Sequence, residues 1–151
     1  MLAAGIYAFD QVQIGDCLLT DWVKVTPEAI DSFAALTQDR FAIHLSNEGA
    51  RAHGFDRRVA HGLLILSLVE GLKSTAPAQL DTFASLGWEW TFRAPVFAGD
   101  SIRATLTVAA KRAAGAGKGM LTLSVSVENQ DGAVVQHGQT RLMARRAPPA
   151  A

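Results

Sequence analysis

The sequence predicts an α+β domain in which an antiparallel sheet curls around one long apolar helix. Residues 61–73 (HGLLILSLVEGLK) are apolar almost all round, and a helix of that kind is expected to be buried on every side. Three later segments alternate apolar and polar residues with period two, which is the pattern of half-buried antiparallel strands. They are 86–93, 102–108 and 121–128. The helix and the strands together predict a sheet wrapped around a helix.

The elements before the long helix follow from local signals. Residues 14–25 are extended and partly apolar, and predict a first strand. A helix is then expected to begin at Thr26-Pro27-Glu28, because Thr26 can cap it, Pro27 suits the first helical position and Glu28 favours the positive end of the helix dipole. Its apolar spacing ends near residues 37–38.

The remaining elements are separated by turn-forming residues. A short helical segment is expected over 46–54, where a glycine ends it. Turn chemistry at 98–100, 114–119 and 129–132 divides the later strands, and a final strand is predicted over 133–143. The sheet is therefore expected to have about five strands.

Composition predicts one domain with a large core. The chain has 151 residues, of which 49% are apolar and 19% charged, with a mean hydropathy of +0.16. We expect a single domain over 1–146, a flexible tail over 147–151, and self-association that buries a further apolar face. A net charge of zero argues against a nucleic-acid or anionic-membrane partner.

Cysteine content and the absence of a targeting pattern favour a cytoplasmic protein. Cys17 is the single cysteine, which excludes an intramolecular disulfide and fits a reducing compartment. The N-terminus lacks the basic residues of a signal peptide. The longest apolar run, 62–69, is far shorter than the roughly 18–20 residues that span a bilayer.

The four histidines do not predict a metal site. His44, His53, His61 and His137 have separations that place no two of them on one helical face, and no zinc-binding motif occurs. We therefore expect no metal.

A carboxylate and an imidazole in TQDRFAIHL are the first candidate for chemistry. On a continuous helix, Asp39 and His44 would point about 140° apart, so they converge only if the helix ends between them. Such a pair can hold a water and move a proton near neutral pH. The alternative from spacing alone is that Asp39 solvates a helix end and His44 is a surface residue.

The second candidate is the start of the long helix. His61 and Gly62 stand where free N–H groups and a positive dipole end are expected, and Gly62 allows a ligand to approach the backbone. The site suits a developing oxyanion. The alternative is that His61 caps the helix and Gly62 relieves packing.

These segments together resemble the MaoC-like dehydratase family, which includes the (R)-specific enoyl-CoA hydratases. The resemblance covers 33–73, with the pair Asp39 and His44 followed by the His-Gly-Leu-Leu that begins at His61. It continues through 91–100 (TFRAPVFAGD) and covers most of the chain. It implies a hotdog fold, in which the curled sheet wraps the central helix, and a homodimer or higher homo-oligomer.

The resemblance also implies an activity in acyl-CoA and fatty acid metabolism. Asp39 and His44 would activate a water that adds to C3 of a trans-2-enoyl-CoA, forming (R)-3-hydroxyacyl-CoA, and the reverse reaction is dehydration. The N–H of Gly62 would stabilise the thioester enolate oxygen. Such a hydro-lyase needs no separate cofactor, since coenzyme A is part of the substrate, and no metal.

The chain departs from the family pattern Gly-Asp-x-Asn-Pro-x-His around this pair. Gln38, Phe41 and Ala42 replace the glycine, asparagine and proline. Phe41 is expected to make the pocket more apolar or to pack the loop down. Ser67 stands where related hotdog dehydratases carry a helix carboxylate, and it either lines the pocket or packs under the sheet.

The phosphates of coenzyme A require cationic partners. Arg58 and Arg93 lie in segments that the family places near its substrate channel, so they are candidates, with exposed solubilising charges as the alternative. Two other functions stay open. One is a hotdog acyl-CoA thioesterase, and the other is a non-catalytic acyl-CoA-binding or scaffold subunit, favoured by the altered loop. The acyl chain length, and CoA against acyl carrier protein, stay open as well.

Overall fold

The computed structural model describes residues 1–148 and contains four helices and eight strands in that range. The helices are α1 (Pro27–Thr37), α2 (Ala42–Leu45), α3 (Asn47–Arg51) and α4 (Gly62–Thr75). The strands are β1 (Gly5–Tyr7), β2 (Cys17–Leu19), β3 (Val23–Lys24), β4 (Ala78–Leu80), β5 (Thr82–Phe92), β6 (Ser101–Ala113), β7 (Lys118–Asn129) and β8 (Val134–Arg145). A 3-10 turn covers Phe9–Gln11.

The main sheet has six strands in the order β2-β6-β7-β8-β5, with β3 also paired to β6. All of these pairs are antiparallel. The alternating segments predicted β5, β6 and β7, and β8 corresponds to the predicted final strand. β1 and β4 form a separate parallel pair. The hotdog architecture predicted from the sequence is confirmed, with α4 lying against the curled sheet.

The core lies between α4 and the inner face of the sheet. Ile65 and Val69 of α4 are fully buried and belong to one apolar cluster with inward-facing residues of the long strands. Full burial of each such side chain contributes about 1.5–3 kcal/mol of transfer free energy. The helix is therefore held against the sheet, and its first turn is held with it.

The prediction that α4 is buried on every side is wrong for the single chain. Leu63 is 59% exposed, and Ser67, one turn later on the same face, is exposed too. The sheet curls around one side of the helix only, because its edge strands do not reach the opposite face. Leu63 and Ser67 are thus uncovered in the first turns of α4.

The predicted first strand is divided into β2 and β3. Thr20 lies between them, and its Oγ1 accepts a hydrogen bond from the N–H of Ala104 at 2.9 Å. This side-chain acceptor takes the place of a backbone carbonyl, so the regular ladder with β6 is interrupted there. Both short strands still pair with β6.

The sequence also predicts that no segment spans a membrane and that residues 147–151 form a flexible tail. Within residues 1–148, no helix combines the length and the apolar composition that crossing a bilayer requires. The tail predicted over 147–151 falls mostly outside the described residues. At its start, the N–H of Ala147 donates to Asp10 Oδ2 at 3.2 Å.

Candidate active site

The end of α1 determines where Asp39 lies. Thr26 caps the start of α1 as predicted, its Oγ1 accepting from the N–H of Ala29 at 3.1 Å. At the other end, Gln38 adopts a left-handed conformation (φ 63°) and donates its N–H to the carbonyl of Ala34 at 2.9 Å. This turn breaks the helical path and places Asp39 in an exposed loop.

His44 lies on α2, a short helix that the sequence did not predict. Its N–H donates to the carbonyl of Phe41 at 2.9 Å, and its ring is only 8% exposed. Nδ1 lies 2.8 Å from the carbonyl oxygen of Val59. Because a carbonyl only accepts, Nδ1 carries the proton and the neutral ring keeps a lone pair on Nε2. His44 is therefore available as a base through Nε2.

His61 completes a cluster with these two residues. It immediately precedes α4 and is 2% exposed, yet its side chain does not cap the helix. Its Nε2 lies 2.9 Å from the backbone carbonyl oxygen of Asp39, and its ring stacks on His44 with centroids 3.9 Å apart. One nitrogen of each imidazole and a carboxylate oxygen of Asp39 all lie within 4.8 Å of one another.

The cluster opens onto a cavity of about 510 Å³ between the start of α4 and the end of β5. Asp39, His44, His61 and Gly62 are among its lining residues. The rest of the lining is mainly apolar and includes Ile43, Phe55, Ile65, Phe92, Pro95 and Val96. This size and this mixture of one polar corner and apolar walls suit a small organic ligand.

Gly62 allows a close approach at the helix start. A Cβ at this position would lie 2.4 Å from the ring of Phe92, so the two residues are in contact only because Gly62 has no side chain. Within the described residues, the N–H of Gly62 donates no hydrogen bond. It is thus free for a ligand atom in the cavity.

Gln136 is a site residue that the sequence analysis missed. Its side chain is buried, and Nε2 donates to the carbonyl of Gly62 at 3.0 Å while Oε1 accepts from Trp90 Nε1 at 2.8 Å. This network fixes the first turn of α4 to the sheet. A signal existed, because Gln136 is a polar residue at a core-facing position of a strand with period two.

Ser67 and Phe41 lie outside this cavity. Ser67 stands on the exposed face of α4, where its Oγ donates to the carbonyl of Leu63 at 2.7 Å, so neither predicted position for it, in the pocket or under the sheet, is correct for the single chain. Phe41 is half-exposed and packs edge-on against His53, with ring centroids 5.0 Å apart. Of the two alternatives for Phe41, packing the loop down agrees with this position.

The two arginines differ in their surroundings. Arg58 is 12% exposed, its Nε donates to the backbone carbonyl of His44 at 2.6 Å, and it forms an ion pair with Asp31. Its guanidinium is thus used inside the chain, which disagrees with a role in binding phosphate. Arg93 is exposed, lines the cavity and lies 3.4 Å from His137 Nε2, so it can reach a ligand.

The distances within the cluster are compatible with a metal ion, but the ring orientation is not. A metal lies in the plane of each imidazole that binds it, along the nitrogen lone pair. His44 and His61 are stacked with only 25° between their planes, so their lone pairs run side by side instead of converging. The contact between these two histidines could not be predicted from their separation in the sequence, because they lie on different elements.

A comparison with known proteins shows the family. The family model described as "MaoC like domain" matches residues 10–130. The chain belongs to the MaoC-like family. This MaoC-like chain is 33% identical over 111 residues to the (R)-specific enoyl-CoA hydratase of Aeromonas caviae, covering 73% of this chain and 79% of that protein.

A second relative and a solved structure are also similar to this chain. The 3-hydroxyacyl-thioester dehydratase Z of Mycobacterium tuberculosis (strain ATCC 25618 / H37Rv) is 31% identical over 112 residues, which cover 72% of this chain and 74% of that protein. The crystal structure of the monoamine oxidase regulatory protein from Archaeoglobus fulgius superposes with a TM-score of 0.86 at 29% identity, covering 97% of this chain and 100% of that one. Relatives of this MaoC-like chain are thus named as hydratases and dehydratases.

The environment of His44 in this MaoC-like domain lowers its pKa. Burial is the main cause, because it penalises the charged imidazolium. The hydrogen bond to Val59 and the charge of Asp39 raise the pKa, whereas the neighbouring His61 and Arg58 lower it, and the net shift is downward from 6.5. His44 is therefore neutral, with Nε2 unprotonated, over a wider pH range than an exposed histidine.

Proposed function

We propose that this MaoC-like domain catalyses the reversible hydration of trans-2-enoyl-CoA to (R)-3-hydroxyacyl-CoA. The observation that carries this proposal is the convergence of the Asp39 carboxylate and the buried, neutral His44 on one cavity, beside the free N–H of Gly62. The names of its hydratase and dehydratase relatives support the same reaction.

The proposed chemistry uses a water molecule bound between Asp39 and His44. Nε2 of His44 removes one proton as the water oxygen bonds to C3 of the substrate. The electrons of the C2=C3 double bond move onto the thioester oxygen. As those electrons return, the proton that Nε2 of His44 took from the water is delivered to C2, and the ring is neutral again. The N–H of Gly62 stabilises the enolate oxygen, a contribution typically of about 3–4 kcal/mol for one such donor.

We propose that the thioester carries coenzyme A and that no separate cofactor takes part. Arg93 lies at the edge of the cavity with its side chain exposed, which suits a phosphate of the coenzyme. The apolar walls formed by Phe92, Ile65 and Val96 suit the acyl chain.

The test is to incubate the purified chain with crotonyl-CoA and to identify the products by mass and chirality. We expect (R)-3-hydroxybutyryl-CoA without release of free CoA thiol. Thiol release from a saturated acyl-CoA would favour the thioesterase reaction instead. Binding of crotonyl-CoA without any product would favour a non-catalytic subunit.

We also propose that the chain forms a homodimer through β5 and acts in the cytoplasm. β5 is the last strand of the sheet, and Phe83, Leu86 and Phe92 expose large apolar side chains along it. A long apolar edge strand favours pairing with another strand. Cys17 is a free thiol, which suits a reducing compartment.

The lowered pKa of His44 sets an expected pH dependence. Because the base must be unprotonated, kcat/KM is retained above the pKa of His44 and lost as pH falls through it. We expect the acid limb of the profile to have its midpoint below 6.5, the ordinary histidine value from which burial lowers this pKa. Crotonyl-CoA hydration rates over roughly pH 5 to 8 measure it. A midpoint at or above 6.5 would argue against buried His44 as the base.

Gly62→Ala is expected to reduce turnover strongly, because the new Cβ would overlap the Phe92 ring at 2.4 Å and displace it or the helix start. A loss of about 10- to 100-fold in kcat is consistent with misplacement of one donor. The double variant Gly62→Ala with Phe92→Ala provides room for the methyl group. It should recover part of the activity if the clash is the cause, and none if Gly62 acts in another way.

A further inference from the structure

We propose that His61 is a positioning residue that holds both members of the Asp39/His44 pair with a single ring. Its Nε2 is hydrogen-bonded to the backbone carbonyl of Asp39, and the face of its ring is stacked on His44. This inference rests on the proposed hydratase function, which it deepens by adding His61 to the residues of the site. His61 does not touch the reacting atoms in this proposal, and acts through its two neighbours.

The hydrogen bond assigns one tautomer to His61. The carbonyl of Asp39 can only accept, so the proton is on Nε2, 2.9 Å from that oxygen. Nδ1 is then a lone-pair nitrogen, and it is buried with no partner among the described residues. His61 is therefore the donor to the Asp39 carbonyl through Nε2–H.

Packing fixes the orientation of the ring. His61 is buried between His44, whose ring centroid is 3.9 Å away, and Phe33 of α1, at 5.0 Å. Its backbone precedes the first turn of α4, which the core holds against the sheet. The ring is thus a rigid extension of α4 toward the loop.

The loop has few other restraints on Asp39. The N–H of Asp39 donates to Oγ1 of Thr37, the last residue of α1, at 3.2 Å, and Asp39 Oδ1 accepts from the N–H of Phe41 at 3.4 Å, so both partners lie within two residues of Asp39. In the described part of the chain, the bond from His61 is the one hydrogen bond that ties Asp39 to a residue distant in the sequence. The loop also lacks the asparagine and proline of the family pattern, so the hydrogen bond from His61 contributes more to holding the loop in this chain.

Two variants separate the two contacts of His61. His61→Phe keeps an aromatic ring for the stack on His44 but has no donor for Asp39. His61→Gln keeps an N–H at about the reach of Nε2 but has no ring. His53→Gln is the matched control, because His53 is an exposed histidine whose Nδ1 also bonds a backbone carbonyl, that of Gly49 at 2.9 Å.

Steady-state kinetics with crotonyl-CoA provide the first readout. We expect His61→Phe to lower kcat by about 10- to 100-fold while KM changes by less than about threefold, because positioning is lost and binding is kept. His61→Gln should regain about tenfold of that loss, and His53→Gln should match the wild type. Thermal unfolding identifies variants that fail to fold. Folded variants with wild-type kcat would overturn the proposal, and so would a His61→Gln enzyme as slow as His61→Phe.

Nitrogen-15 NMR of the histidine rings is a readout that does not need activity. We expect the His61 ring to show the Nε2–H tautomer that its hydrogen bond to Asp39 requires. In His61→Phe, the backbone amide of Arg40, which shares the peptide group of Asp39, should shift, and His44, which faces Asp39, His61 and Arg58, should titrate at a changed pH. A His61 ring that carries its proton on Nδ1 instead of Nε2 would overturn the proposal. An inactive wild type with these NMR features would refute the hydratase function and leave the positioning role supported.

Discussion

His44→Ala is expected to lower kcat of crotonyl-CoA hydration by at least about 100-fold, since the substitution removes the base that takes the proton from water. The ring also supports the fold, because its Nδ1–H satisfies the buried carbonyl of Val59 at 2.8 Å. Alanine leaves that carbonyl without a donor, which typically costs about 1–3 kcal/mol of stability. Kinetics must therefore be accompanied by a measurement of thermal unfolding.

His44→Asn separates catalysis from stability. The asparagine amide places an N–H close to the position of Nδ1, so it can still donate to Val59, whereas it has no base at the position of Nε2. We expect this variant to be as slow as His44→Ala and more stable. His53→Asn, at an exposed position, is the control. A folded and fully active His44→Asn protein would remove His44 from the mechanism.

Asp39→Asn is expected to lower kcat by at least about 100-fold as well, with the fold unchanged. Asp39 is exposed in its loop, and the amide oxygen of asparagine can still accept the long hydrogen bond from the N–H of Phe41 at 3.4 Å. The substitution thus removes the negative charge that orients the water and supports the imidazolium of His44, and little else.

The matched control for Asp39 is Asp56→Asn, since Asp56 is an exposed carboxylate outside the cavity. It should leave kcat unchanged. If both variants lose activity equally, the effect comes from surface charge, and the assignment of Asp39 as a catalytic residue fails. The double variant Asp39→Asn with His44→Asn should be little slower than either alone, because residues that act on one water lose their effects together.

The long strands and α4 could be predicted because their signals are local. Side chains alternate along β5 to β8 wherever one face meets the core, and the apolar run of α4 marks the segment that the sheet covers. The exposed face of α4 could not be predicted. Leu63 is as apolar as Leu64, and only the extent of the curled sheet decides which of them is covered.

The part of the candidate site that lies in one continuous segment could be predicted from the sequence. Asp39 and His44 lie five positions apart, and a helix end between them is visible in the sequence, so their convergence followed from local structure. The stack of His61 on His44 joins two elements across the fold, and no periodicity reports such a contact. The ion pair between Arg58 and Asp31 could not be predicted for the same reason, since the sequence does not show which partner a charged side chain contacts.

The central claim is that the Asp39/His44 pair adds water to an enoyl thioester, and the most direct test is the ultraviolet absorbance of crotonyl-CoA mixed with the purified chain. The conjugated double bond absorbs, and hydration at C3 removes that conjugation. We expect the band to decay with the wild type and to persist with Asp39→Asn at the same concentration. A band that persists with both, or that decays equally with both, would contradict the account.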